Sequence, residues 1–216
     1  MILITTAGKV GSEAARLLAQ RGVPVRVLAR DPEKATALTQ AGVDVAEGDL
    51  EAPTTIDAAM QDVTTVVLVS PAVPAQELSV IDGAARAGVG HVVKITSKAS
   101  TDSPIARQRG QAETEARLIA SGLGYTLLRS NFHMQNFLMF APTIARTNSF
   151  GSSAGAGQVG LIDARDVGAV AAGSLLHPPP TLEKHTCSPG RVGSPKATRP
   201  GCLRTCRRSS VARRAP

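Results

Sequence analysis

The sequence predicts an α/β fold: a Rossmann-like, doubly wound parallel sheet with helices on both faces. Three observations predict it. Short apolar runs of strand length alternate with segments of helical spacing, and turn residues separate them. The runs are apolar at consecutive positions, as strands covered on both faces must be. The first run passes straight into a glycine-containing loop that opens a helix, the arrangement that places a ligand beside the carboxyl ends of strands.

The first strand is 2–5, the run Ile2-Leu3-Ile4 closed by Thr5. Gly8-Lys9-Val10-Gly11 turns the chain, and 13–20 has helical character with Ala14, Leu17 and Leu18 as core positions, ending at Gly22. The second strand is 23–28. Asp31-Pro32-Glu33-Lys34 starts a helix that runs to about Gln40: Asp31 can cap free amides, Pro32 suits the first helical position, and Glu33 favours the first turn. A third strand at 43–46 leads to Gly48-Asp49-Leu50, and 54–60 is a short helix. The most apolar strand is 65–69, ended by Ser70-Pro71. A helix over 77–87 spaces Leu78, Ile81, Ala84 and Ala85 toward a core, and 91–96 is the fifth strand. The helix 111–121 stops at Gly122, and 125–129 is the sixth strand. Beyond it lie an apolar helical stretch at 132–140, a short strand at 159–162 and an amphipathic helix at 163–176.

Composition divides the chain near Leu176. The net charge of +7 comes from the end: 177–216 hold nine of the 24 Lys and Arg but only Glu183 as an acid, leaving 15 basic and 16 acidic side chains in 1–176. All three cysteines and seven of the 14 prolines also lie in 177–216. That segment has too little apolar surface to offset its ordering entropy. It is expected to be a Pro/Arg-rich tail, disordered or the product of translation in a shifted frame, with the domain proper at 1–176. Its arginines could touch nucleic acid nonspecifically, but specific nucleic-acid binding is not expected. Without a long apolar run or a basic leader, no membrane span or signal peptide is expected, and a cytoplasmic setting is the default. The sequence leaves the oligomeric state open.

Thr5-Thr6-Ala7-Gly8-Lys9-Val10-Gly11 has the spacing of a G-x-x-G-x-x-G loop, with Thr5 in place of the first glycine. Gly8 would let backbone approach a pyrophosphate, Gly11 would let the helix pack closely on the sheet, and the helix's free amides would face phosphates. A plain strand-to-helix turn is the alternative. Arg30 ends the second strand nineteen residues after Gly11, where it would meet the adenosine ribose; an arginine suits a 2′-phosphate, favouring NADP (NADPH) over NAD. Lys34 would assist if it turned back. Asp31 could instead bind a free 2′-hydroxyl, or cap its helix. Asp49 and Leu50 could receive the adenine, or Asp49 could cap a local turn. Ser70, Thr96 and Ser97 end strands at the crevice mouth.

Hydride transfer needs the cofactor placed against an acceptor, and a proton where the product requires one. Tyr125, the one tyrosine, starts a strand, and no tyrosine stands four residues before a lysine. Lys98, Phe132 and His133 are candidates for lining a substrate pocket, with packing as the alternative for His133. The cysteine spacing does not suit zinc, and no metal is expected.

The pieces ITTAGKVG, VRVLARDPEK, GDL at 48–50, TTVVLVSP, HVVKITSKAS, SGLGYTLLRSNFHMQNF and VGLIDARDVGAVAA stand in an order that resembles the NmrA-like family of atypical short-chain dehydrogenases/reductases, close to its NAD(P)H:quinone oxidoreductase type. The resemblance spans about 1–176 and implies a Rossmann domain with a small second, substrate domain. It implies a glycine-rich loop at Thr5, Gly8 and Gly11, a dinucleotide-selecting arginine at Arg30, and hydride transfer to a quinone-like or other small acceptor. The family's Tyr-x-x-x-Lys pair would fall on Arg107 and Gln111, so the dyad is missing. A noncatalytic redox sensor or a degenerate truncated reductase is the alternative. After 163–176 a member should continue into more substrate domain, which is here truncated or replaced; apolar surface it would cover is expected to be exposed.

Overall fold

The structure is a computed structural model and describes residues 1–130, 132–151, 155 and 157–176, with the backbone alone of 185–187. In chain order the elements are β1 (Ile2–Ile4), α1 (Lys9–Ala19), β2 (Val25–Ala29), a 3-10 turn (Pro32–Ala35) that runs into α2 (Thr36–Gln40), β3 (Asp44–Glu47), α3 (Pro53–Ala59), β4 (Thr65–Leu68), α4 (Pro74–Arg86), β5 (His91–Thr96), α5 (Ala106–Ala120) and β6 (Gly124–Arg129). There follow β7 (Phe132–His133), a 3-10 stretch (Met134–Phe140), α6 (Ala141–Thr147), β8 (Leu161–Ile162), α7 (Ala164–Leu176) and β9 (His185–Cys187).

The main sheet has the order β3-β2-β1-β4-β5-β6-β9 and every pairing is parallel. β1 therefore stands between β2 and β4, where the strand order reverses. This is the doubly wound arrangement that the alternation predicts. Successive side chains of each strand enter opposite layers. Ile4, Val27, Val67 and Val93 pack under α1, α2 and α7. Leu3, Leu28, Val66, Leu68 and Val92 pack under α3, α4 and α5. The backbone of 185–187 pairs with β6, so the sheet extends past the Leu176 boundary expected from composition. The rest of 177–216, with its three cysteines' side chains and its arginines, lies outside the described residues. No described helix is long and apolar enough to cross a membrane.

Two local expectations need correction. On α4 the buried positions are Glu77, Val80, Ile81, Gly83 and Ala84, whereas Leu78 is half-buried and Ala85 exposed. Spacing from Glu77 at i+3, i+4 and i+7 gives this face, but a buried carboxylate is acceptable only where a cation meets it. The stretch 132–140 is not an α-helix. Phe132 and His133 instead pair with Leu161 and Ile162, and a 3-10 stretch follows. That pairing joins segments far apart in sequence, which outweighs local helical spacing.

His91, at the start of β5, has a buried Nδ1 with no hydrogen-bond partner among the described residues, while its Nε2 lies 3.0 Å from Thr126 Oγ1. Burial lowers its pKa below 6.5. As pH falls through about 6.5 the unfolded chain takes up this proton before the folded one does, so stability declines with acidification. A urea midpoint lower at pH 5.5 than at pH 7.5, with a shallower dependence in His91→Gln, is the expected outcome; an equal dependence in both proteins would contradict it.

Candidate functional site

A cavity of about 790 Å³ opens at the carboxyl ends of β1, β2 and β4. That volume lies within the range of small-molecule and cofactor sites. Its walls are the loop after β1 (Thr5, Thr6, Ala7, Gly8, Lys9, Val10), the end of β2 with its turn (Leu28, Ala29, Arg30, Asp31, Lys34, Ala35), the segment after β3 (Gly48, Asp49, Leu50), the end of β4 (Val69, Ser70, Pro71), and Gln76 and His133. Three cofactor-site candidates from the sequence do not line it: Gly11, Thr96 and Ser97. Lys98 and Phe132 are also outside its lining.

The loop residues divide the work. Gly11 sits in α1, where a Cβ would lie 2.0 Å from the Thr6 carbonyl oxygen and 3.1 Å from Ile4 Cγ2, so only glycine lets the helix approach β1 this closely. Gly8 is different: an added Cβ would meet nothing nearer than Thr6 Oγ1 at 3.7 Å. The fold itself leaves room there, and the space is available to a ligand. Lys9 and Val10 open α1, where amides have no intrahelical acceptor, so bare N–H groups border the cavity. The Thr5 side chain turns into the sheet. Its hydroxyl donates to the Val69 carbonyl (2.6 Å) and accepts from the Val69 amide (2.9 Å), latching β1 to the end of β4. The departure from glycine thus has a structural role. Lys9 Nζ donates to the Gln135 carbonyl (3.2 Å).

At the β2 end, Asp31 accepts from the Glu33 amide (3.2 Å) and pairs with Lys34 (2.8 Å). The Lys34 hydrogen bond holds its carboxyl below the usual range. Asp31 is therefore the cap of its turn, and Lys34 is its counterion. Arg30 is exposed on the cavity wall and makes no hydrogen bond or ion pair among the described residues. In the Gly48-Asp49-Leu50 segment, a Cβ at Gly48 would lie 2.6 Å from Leu28 Cδ1. Asp49 Oδ1 accepts from the Glu51 amide (3.0 Å), and Leu50 is buried in the core under α3 and α4 while still touching the cavity. Gln76, which sequence reading missed, donates to Glu51 Oε1 (3.1 Å) and borders the same wall.

Thr96 belongs to a buried polar network instead. Lys94 Nζ, wholly buried on β5, donates to Glu77 Oε2 at 2.6 Å. Gln111 Nε2 donates to the same oxygen (3.2 Å), and Thr96 Oγ1 lies 2.6 Å from Gln111 Oε1 and 2.9 Å from Glu115 Oε1. Arg129 pairs with Glu115. Burial lowers the Lys94 pKa, while Glu77 and then Glu115 oppose the shift. Gln111, where the family's lysine would fall, is a buried member of this network. A lysine inside the apolar run His91-Val92-Val93-Lys94-Ile95-Thr96 and a glutamate on the apolar stripe of α4 were the available signals.

His133 reaches the cavity from β7. Its Nε2 is 3.1 Å from Ser130 Oγ, and burial, then Arg107 and Lys9, lower its pKa, so the ring is neutral at pH 7. Gln135 clamps this segment to α7: its Nε2 donates to Asp163 Oδ1 (2.6 Å) and its Oε1 accepts from the Ala164 amide (2.8 Å). Hydrogen bonds from Arg165 hold the Asp163 carboxyl far below its usual range. Phe132 packs edge-on to Phe137, which also meets Phe140 and Phe150. Leu138 and Met139, between Phe137 and Phe140 in the chain, are 67% and 72% exposed. Tyr125 is buried in the core and does not line the cavity. Among the described residues no group of three or more His, Cys, Asp or Glu could hold a metal.

The profile of the NAD(P)H-binding family matches residues 6–178. An NAD(P)H azoreductase from Xenophilus azovorans is 38% identical over 182 residues, 82% of this chain and 64% of that protein. A (4-alkanoyl-5-oxo-2,5-dihydrofuran-3-yl)methyl phosphate reductase from Streptomyces griseus is 39% identical over 181 residues, 81% of this chain and 63% of that protein. The crystal structure of an NADPH-dependent quinone oxidoreductase from Escherichia coli, complexed with NADPH, superposes with a TM-score of 0.69 at 30% identity, covering 80% of this chain and 63% of that one. The chain thus spans just under two thirds of the length of these relatives. With a parallel sheet reversing at β1 and a glycine loop opening onto a cavity there, the chain belongs to the NAD(P)H-binding oxidoreductase family related to the NmrA-like quinone oxidoreductases.

Proposed function

We propose that the cavity binds NADPH and that the chain serves hydride transfer to a small organic acceptor, quinone-like in the finer reading. The observation that carries NADPH is Arg30: an exposed guanidinium on the β2 wall, unpaired among the described residues, beside an Asp31 already occupied by its cap and by Lys34. A 2′-phosphate would complete that charge balance, whereas a free 2′-hydroxyl would find its carboxylate partner taken. The azoreductase and quinone oxidoreductase names of the relatives support an acceptor of this kind. The bare amides at Lys9 and Val10, with room beside Gly8, would hold the pyrophosphate, while Gly11 lets their helix approach the sheet. Thr6 would border it. Asp49 and Leu50 would floor the adenine side, and Ser70 the nicotinamide side. When bound, the dinucleotide supplies a hydride. The chain's part is to hold it, and His133, neutral at pH 7, would border the acceptor as a hydrogen-bonding wall. For a quinone, one hydride and one proton give the hydroquinone, and the proton can come from water.

Arg30→Ala is expected to weaken NADPH binding about 10- to 100-fold, the value of charged hydrogen bonds, while leaving NADH nearly unchanged. Titration of both nucleotides by calorimetry measures this. Equal losses for the two would reject Arg30 as the selector.

The second reading, NADPH binding without turnover, is favoured by Gln111: the position of the family's lysine is buried and committed to Thr96 and Glu77. Stopped-flow NADPH oxidation with a quinone separates the two. Tight binding with no oxidation would establish the second.

A further inference from the structure

The cavity wall formed by the end of β4 is fastened from behind by a buried charge. Ser70 is its last hydrogen-bonding residue. Its hydroxyl donates to Glu77 Oε1 (2.7 Å) and accepts from the Ala72 amide (2.9 Å). Ala72 lies in the left-handed region at φ 65°, a conformation that a non-glycine residue adopts only when its surroundings impose it. The other carboxylate oxygen, Oε2, is fully committed to Lys94 and Gln111. The carboxylate therefore cannot rotate, and Oε1 is left for Ser70. An apolar pair in place of Lys94 and Glu77 would fill the same space at lower desolvation cost. It could not hold the Ser70 hydroxyl. β2 and β4 stand on opposite sides of β1, so a dinucleotide whose adenosine meets Arg30 on β2 would place its nicotinamide half beside Ser70 and Pro71.

We propose that Glu77 is a positioning residue of the dinucleotide site: fixed by Lys94 and Gln111, it sets the Ser70 hydroxyl and the turn at Ala72, and so the shape of the wall that receives the nicotinamide half. The inference rests on the reading that this cavity binds NADPH. It assigns a ligand-directed role to an ion pair that otherwise only fills the core. Because the wall is remote from Arg30, its disturbance falls equally on NADPH and NADH, unlike the loss of Arg30.

The test is calorimetric titration of NADPH and NADH against wild type, Ser70→Ala, Ser70→Thr, Glu77→Gln and the Ser70→Ala/Glu77→Gln double variant, with melting temperatures alongside. Ser70→Ala cuts the link at the rim without touching the ion pair. It is expected to weaken both nucleotides about tenfold, with a fall in melting temperature from the lost charged hydrogen bond that is smaller than that of Glu77→Gln, which leaves Lys94 without its counterion. Ser70→Thr, which keeps the hydroxyl, is expected to bind within about twofold of wild type. Glu77→Gln is expected to match the loss, and the double variant to bind no worse than Glu77→Gln alone, since both act through one contact. Unchanged affinity in Ser70→Ala overturns the proposal even if Glu77→Gln does not fold. Multiplying losses in the double variant overturn it as well. If wild type binds neither nucleotide, the reading beneath fails and the proposal with it; if wild type binds and only the variants behave as wild type, the proposal alone fails.

Discussion

Lys94→Ala is expected to lower stability by about 3–5 kcal/mol. The Lys94 ammonium has no exposed surface and Glu77 is 1% exposed, so neither charge is solvated by water. Removing the lysine leaves Glu77 buried with only the neutral donors Ser70 and Gln111, and opens a void the size of a long side chain between β5 and α4. The remaining carboxylate must take up a proton or draw in water, and either costs folding free energy. Replacing both partners, as in Lys94→Met/Glu77→Leu, is expected to recover most of the loss, because two desolvated charges disappear together. Urea unfolding of the three proteins measures this. A Lys94→Ala midpoint close to wild type would mean that water reaches the pair.

Gly11→Ala comes next, at about 3 kcal/mol, the upper end of what overpacking costs. The obstruction is a backbone carbonyl at 2.0 Å, which cannot swing aside as a side chain could. α1 must move off β1, carrying with it the amides at its start. Stability and NADPH affinity should therefore fall together. Gly8→Ala is the control. The folded chain has space for that methyl group, so its melting temperature should stay near wild type while nucleotide binding weakens. Thermal melts with and without NADPH separate the two variants. A Gly11→Ala protein that melts like wild type would show that the helix can pack at a greater distance.

Much of the site was legible because its requirements are local. Asp31-Pro32-Glu33 capped a turn where the residue types said it should, since capping needs only neighbouring amides. Arg30 stood at the cavity wall because its position follows from the length of one helix and one strand. Other assignments depended on partners far along the chain. Thr5 gave no sequence signal that its hydroxyl would latch Val69, 64 residues away. Thr96 sat at a strand end, as a site residue should, yet turned toward Gln111 and Glu115 because alternation sends it to the α5 face with Val92 and Lys94. Gln135 was counted as part of an apolar helix and instead clamps the segment carrying His133 onto α7.

The order of apolar runs and turns by itself determined the layered α/β class, the place of the glycine loop and the arginine at the end of β2. Those features follow from hydrophobic periodicity and from backbone geometry within a few residues. Tertiary structure alone decided which polar side chains serve the cavity and which serve the core. A buried charge is tolerable only beside its partner, and Lys94 meets Glu77 only after β5 has paired with β4 and α4 has packed across the sheet.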